Sequence, residues 1–159
     1  LEKNIPVVVA AGNCGIAEFP FCFGTISGVG SPGNYEKVIT VGAVNKKNIW
    51  TLFSSGEHFG SYIKPDVVAP GVAITSSMFD GYETISGTSM ATPFVSGIVA
   101  LMLEKNPNLT PVEIKKELQR KAIDFGKPKK DILYGSGFVD AALLFSLDVE
   151  GCKFHKELI

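Results

Sequence analysis

The sequence predicts an α/β fold, a three-layer sandwich around a mainly parallel sheet, from three observations. Residues 6–11 and 37–44 are short apolar runs rich in β-branched side chains, the pattern of strands covered on both faces. An apolar stretch starts at Pro93 and carries Ile98, Val99, Leu101, Met102 and Leu103, which fits a core helix. A second helix start is written in Thr110-Pro111-Val112-Glu113, with a capping threonine, proline at the first helical position and glutamate at the third.

Composition bounds the rest. The chain has 159 residues, 45% of them hydrophobic and 19% charged, the profile of a soluble globular domain with one sizeable core. A net charge of −1 gives no electrostatic reason to expect nucleic acid or an anionic membrane surface as a partner. No apolar run is long enough to span a bilayer, and no signal peptide opens the sequence. Leu1-Glu2-Lys3-Asn4 reads as the tail of a helix and runs at once into a buried strand. The expectation is that a first element has been cut away.

The first strand ends in Gly12-Asn13-Cys14-Gly15. A side-chain amide here is a neutral donor, suited to a negatively charged intermediate; asparagine also settles readily in left-handed turns. Residues 16–31 form a long connection centred on Phe19-Pro20-Phe21-Cys22-Phe23, expected to pack rather than to stay solvated. Of the three cysteines, Cys14 and Cys22 are near enough to bridge in an oxidising compartment, and three free thiols are equally compatible with the spacing. No CxxC or Cys/His cluster points to zinc.

After the strand at 37–44 comes a polar turn at 45–48, then the apolar Trp50, Leu52 and Phe53. Residues 64–71 read as a strand closed by a Pro-Gly turn. Residues 72–77 and 82–85 read as two strands joined by Phe79-Asp80-Gly81. They lead into Gly87-Thr88-Ser89-Met90-Ala91, a small-residue turn before the Pro93 helix. A serine at such a junction can stand clear of the backbone, where the free N–H groups of a first helical turn meet negative charge. It is a weak nucleophile until a base takes its proton. Its bland alternative is an N-capping serine. The Pro93 helix is apolar on most sides, so it should run through the core and stop at Asn106-Pro107. The Thr110 helix turns Ile114 and Leu118 inward and Lys115, Lys116 and Lys121 to solvent. Residues 125–133 form a polar loop, and 134–142 a turn and a last short helix.

Gly-Thr-Ser-Met-Ala-Thr-Pro at 87–93 resembles the nucleophile motif of the subtilisin-like serine proteases (subtilases, peptidase S8). Ala-Ala-Gly-Asn at 10–13, Lys-Val-Ile-Thr-Val-Gly-Ala-Val at 37–44, Phe-Ser-Ser-Gly at 53–56, Lys-Pro-Asp-Val-Val-Ala-Pro-Gly at 64–71 and the segment 134–142 are similar to other stretches of that family. The resemblance covers residues 1–148, as the C-terminal half of the family domain, and leaves 149–159 unassigned. It implies a serine endopeptidase acting on peptides or proteins. Ser89 would form the acyl-enzyme, and its N–H with the Asn13 side chain would form the oxyanion hole, Thr88 helping. Gly12 and Gly30 would line the pocket for the residue before the cut bond. Asp66 would be structural. The family often has histidine where Phe94 stands, a packing difference.

The family's Asp-Ser/Thr-Gly and His-Gly-Thr-His-like motifs do not occur, and neither His58 nor His155 has the right neighbours. The resemblance therefore implies that base and acid lie outside this chain, in the N-terminal half of the same domain, and that the isolated chain is inactive. It also admits calcium, for which backbone carbonyls around Gly33-Asn34-Tyr35 are the candidate. Family habit implies secretion; the lysine-rich, cysteine-poor composition is compatible with an intracellular member. Three rival readings remain. One is a non-catalytic binding or regulatory relative. Another is an α/β-hydrolase esterase using Ser89, His155 and one of Asp124, Asp131 or Asp140. The third makes Cys14 the nucleophile.

Overall fold

The computed structural model describes residues 3–15 and 28–145. The aromatic segment 19–23, Cys22, Cys152, His155 and the tail 149–159 lie outside the described residues.

Three parallel strands form the main sheet, in the order β1 (Val8–Ala10), β2 (Ile39–Val44), β5 (Val67–Pro70). Val9 pairs with Thr40, and Gly42 with Val68. All six residues of β2 are buried, as its unbroken apolar run requires of a central strand. Phe138 extends the sheet beyond β5 through a parallel bridge to Val68. Alternate residues of the strands, Ile39, Val41, Ala43, Val67 and Ala69, face a helical layer. They share one core with Val95, Ile98, Val99 and Met102 of α1 (Thr88–Lys105) and Ile114 and Leu118 of α2 (Pro111–Lys121). On the opposite face, a side chain on Gly42 would meet Ser54 and Pro65. Among the described residues, the sheet and one helical layer of the expected sandwich are therefore built.

Two hairpins stand apart from the sheet. β6 (Ile74–Met78) and β7 (Gly81–Ile85) pair antiparallel, as the sequence predicts. The ribbon of β3 (Glu57–Phe59) and β4 (Tyr62–Lys64), which carries His58, is not predicted from the sequence. Its strands are three residues each, too short to show a period. α2 carries the complete capping box that Thr110 and Glu113 announce. Asp140 caps the short α3 (Ala141–Leu144) by accepting from two backbone N–H groups.

α1 differs from the expectation in two ways. It begins at Thr88, not at Pro93, so Pro93 lies inside it. The missing proline N–H costs the Ser89 carbonyl its helical donor. The turn survives because it is held from outside: Asn13 Oδ1 accepts the Thr88 N–H at 3.0 Å. Nor is the helix buried all round. Thr88, Ala91, Val95, Ile98, Val99 and Met102 face inward, while Phe94 and Leu101 are 45% and 48% exposed on the other side.

Candidate active site

In a parallel sheet, binding groups collect beyond the carboxyl ends of the strands. Here those ends deliver Gly12 after β1 and Gly71 after β5. Gly71 is tied to the sheet by its N–H on the Val44 carbonyl, at 2.9 Å, and its own carbonyl accepts the Gly87 N–H at 2.8 Å. A side chain on Gly71 would stand 2.6 Å from Ala43 Cβ and 2.8 Å from the Gly87 carbonyl oxygen. The entry to α1 is thus pressed onto the strand ends through two glycines.

Asn13 and Thr88 join the two loops. Asn13 Oδ1 accepts both the backbone N–H of Thr88, at 3.0 Å, and its hydroxyl, at 3.1 Å. The Thr88 hydroxyl in turn accepts the Gly12 N–H at 3.1 Å. Because a backbone N–H can only donate, the amide oxygen must face Thr88 and the NH₂ group forms the other end of the carboxamide. A Cβ on Gly87 would lie 3.2 Å from Asn13 Nδ2, so glycine is what allows the amide this close to the helix start. Thr88 is fully buried.

Ser89 is the second residue of α1 and its side chain is exposed. The N-cap is Gly87, so the capping role for Ser89 falls away. Among the described residues, neither the Ser89 hydroxyl nor its backbone N–H has a hydrogen-bond partner. The site therefore presents a hydroxyl at the positive end of an 18-residue helix, beside an amide fixed by its oxygen.

The loop carrying Asn13 is held from a second side. Ser55 Oγ accepts the Cys14 N–H at 2.9 Å, the Ser55 N–H donates to the Gly12 carbonyl at 3.0 Å, and the Gly15 N–H donates to the Phe53 carbonyl at 2.8 Å. Cys14 is disulfide-bonded, which removes the thiolate that the Cys14 nucleophile reading needs. Gly12 and Gly30 do come together: a Cβ on Gly12, at φ +104°, would stand 3.9 Å from the Gly30 nitrogen. A Cβ on Gly30 would meet no atom of the described residues within 4 Å. Sequence reading missed the supporting roles of Ser55, Gly71 and Gly87. Only the small size of these residues hinted at them.

The remaining candidates fall elsewhere. His58 is exposed on β3, opposite Ile63, and lines a cavity of about 360 Å³ with Lys127 and Lys130. β4, its partner strand, leads into the opening end of β5, away from Gly71. The esterase reading needs a strand of the central sheet running into the serine. β7, which precedes Ser89, pairs with β6 in a separate ribbon.

Asp66 is fully buried at that opening end and has no role beside Ser89. Its Oδ2 accepts from the Thr40 N–H (2.9 Å) and Lys64 Nζ (2.7 Å), and its Oδ1 from Lys115 Nζ (3.0 Å), Lys130 Nζ (2.9 Å) and Gln119 Nε2 (3.0 Å). Burial alone would raise its pKa, but Lys130, Lys115 and Lys64 together hold it below the ordinary carboxylate value. Burial pushes Lys64 down to about 8, against the opposing pull of Asp66. Lys115, expected on a solvated face, instead reaches into this cluster.

The model of the Subtilase family matches residues 1–137. The chain is 39% identical over 163 residues to serine protease AprX of Bacillus subtilis (strain 168), covering 88% of this chain and 35% of that protein. It is 40% identical over 141 residues to subtilisin E of the same organism, covering 88% and 33%. A solved structure, that of the Clostridium perfringens CspB protease, superposes with a TM-score of 0.69 at 38% identity, over 75% of this chain and 28% of that one. The chain spans about a third of the length of each of these two curated relatives.

Proposed function

The chain belongs to the subtilase family, and from that premise we propose that it carries the nucleophile and the oxyanion-binding groups of a serine endopeptidase. Ser89 Oγ attacks the scissile carbonyl. The negative charge that develops on its oxygen is met by the Ser89 N–H and by Asn13 Nδ2, both preorganised before substrate arrives. Thr88 acts on Asn13: its single hydroxyl proton goes to Asn13 Oδ1, so it positions the amide and leaves the oxyanion to the other two. Gly12 and Gly30 line the pocket for the residue before the cut bond, and the space left among the described residues at Gly30 admits a large apolar side chain. The observation that carries the reading is the double hydrogen bond from Thr88 to Asn13 Oδ1, which fixes a donor beside an exposed serine at a helix start.

The base and its orienting acid come from a separate segment, the N-terminal half of the same domain. It would cover the exposed Phe94–Leu101 face of α1 as well. Without it the serine keeps its proton, and the chain alone does not turn over peptides. The disulfide at Cys14 favours an oxidising compartment, hence a secreted protein.

An organophosphonate probe that labels activated serines tests this. The 159-residue chain alone should stay unlabelled. The same chain joined to a segment bearing the family's aspartate and histidine motifs should be labelled at Ser89 and should cleave casein. Cleavage that survives Ser89→Ala in the joined protein would overturn the assignment.

A further inference from the structure

Two carbonyls of the loop that the sequence offers as a cation site are already engaged. Gly33 O accepts the Thr40 hydroxyl at 2.6 Å, and Asn34 O accepts the Tyr62 hydroxyl at 2.8 Å. Glu36 O accepts Lys115 Nζ. Val38 O accepts two ammonium groups, Lys64 Nζ at 2.9 Å and Lys115 Nζ at 3.1 Å. Both carboxylate oxygens of Asp66 lie on the same two nitrogens, at 2.7 and 3.0 Å. Two main-chain carbonyls and a buried carboxylate therefore converge from three points of the chain on a pair of positive charges. An oxygen set of this kind is what a hard cation seeks. Here side chains of β4 and α2 supply the positive charge. Asn34 Oδ1 is buried without a donor among the described residues, and one oxygen does not make a cage.

We propose that the ammonium groups of Lys64 and Lys115 take the place of a bound metal ion, so that the 33–38 loop is clamped to β5 and α2 by tethered cations. The charges fit this reading. Lys64 is fully buried, and Lys115 is 16% exposed. Lys115 gives one contact each to Glu36 O, Val38 O and Asp66 Oδ1, so its three hydrogens are all engaged. A third ammonium, Lys130, shares Asp66 Oδ1. With three cations on one carboxylate, a further divalent ion would meet net positive charge. The calcium that the family resemblance admits does not fit this loop.

The test uses the purified protein in its active form, with thermal unfolding as the readout. Lys115→Ala keeps a helix former in α2 and opens a space lined by Glu36 O, Val38 O and Asp66 Oδ1. Its Tm should fall by several degrees and should recover in methylammonium chloride, with no recovery in tetramethylammonium chloride of equal ionic strength. The wild type should respond equally to the two salts. Lys64→Ala/Lys115→Ala leaves Asp66 with Lys130 as its one cationic partner among the described residues, and its Tm should rise with calcium more than the wild type's does. A Lys115→Ala protein as stable as the wild type, or one on which both ammonium salts act alike, would overturn the proposal. If the double variant does not fold, the single variant decides.

Discussion

Asn13→Asp separates the hydrogen bonds that Asn13 Oδ1 accepts from Thr88 from the oxyanion role proposed for its NH₂ group. Aspartate keeps an oxygen for the Thr88 N–H and hydroxyl, now 3.0 and 3.1 Å from Oδ1, and places negative charge at the positive end of α1. The helix start should be held at least as firmly as before. Yet the N13D side chain has no NH₂ to donate, and it sets a carboxylate against a developing oxyanion. Asn13→Ala removes both functions. Losing a cap costs about 1 kcal/mol, and leaving the buried Thr88 groups without an acceptor adds on the order of 1 kcal/mol. N13A should therefore be destabilised by about 2 kcal/mol and N13D hardly at all. In rate, the loss of the corresponding donor in a subtilisin is about 10²–10³, a value borrowed from that relative. Both variants should lose at least that factor in kcat, N13D more because of its charge, with KM little changed. The assay is single-turnover acylation by a chromogenic peptide in the assembled enzyme, with thermal unfolding measured alongside. An N13D protein that keeps kcat within about threefold of wild type, or that loses as much stability as N13A, would refute the double role given to this amide.

Two further outcomes follow from the packing and the charges. Gly71→Ala places a methyl 2.6 Å from Ala43 Cβ and 2.8 Å from the Gly87 carbonyl. It should cost about 1–3 kcal/mol in urea unfolding and lower kcat by shifting the turn before Ser89; unchanged kcat would mean that Gly71 does not set that turn. Lys64 has a folded pKa of about 8 against an ordinary 10.5, so between these values the unfolded chain holds the extra proton and stability climbs with pH. The climb is at most about 3 kcal/mol and should vanish in Lys64→Met, as read from urea midpoints between pH 7.5 and 10.5.

What the sequence made legible was whatever local chemistry decides. The Thr110 capping box, the β6–β7 hairpin and the buried β2 are each set by residues within a few positions of one another, and the structure places them where the sequence does. The start of α1 was not legible. Pro93 looks like a first helical residue, and the group that holds the helix open five residues earlier is Asn13, seventy-five positions away. The place of Lys115 is not legible for the same reason. Its position on an amphipathic helix is that of a solvated residue, and only the tertiary fold brings Asp66 and the carbonyls of Glu36 and Val38 within its reach. Of the candidate site, residue types and their proximity were readable. Which atom of Asn13 faces Thr88 was not.

The same sheet carries both centres, at opposite ends of its strands. Asp66 opens β5 and Gly71 closes it, five residues apart, or about 16 Å at the usual rise of a strand. That is about two screening lengths at physiological salt, although protein between the two ends screens less than water does. Excess positive charge around Asp66 would hinder catalysis if it lay beside Ser89, because it would oppose protonation of the base that takes the serine's proton. At this distance it acts on the fold and leaves the chemistry to the helix start. Changes at Lys64 and Lys115 should therefore move stability with little effect on acylation, while changes at Asn13 can move acylation without moving stability. The sheet keeps the two effects separable because each depends on a different end of the same short strands.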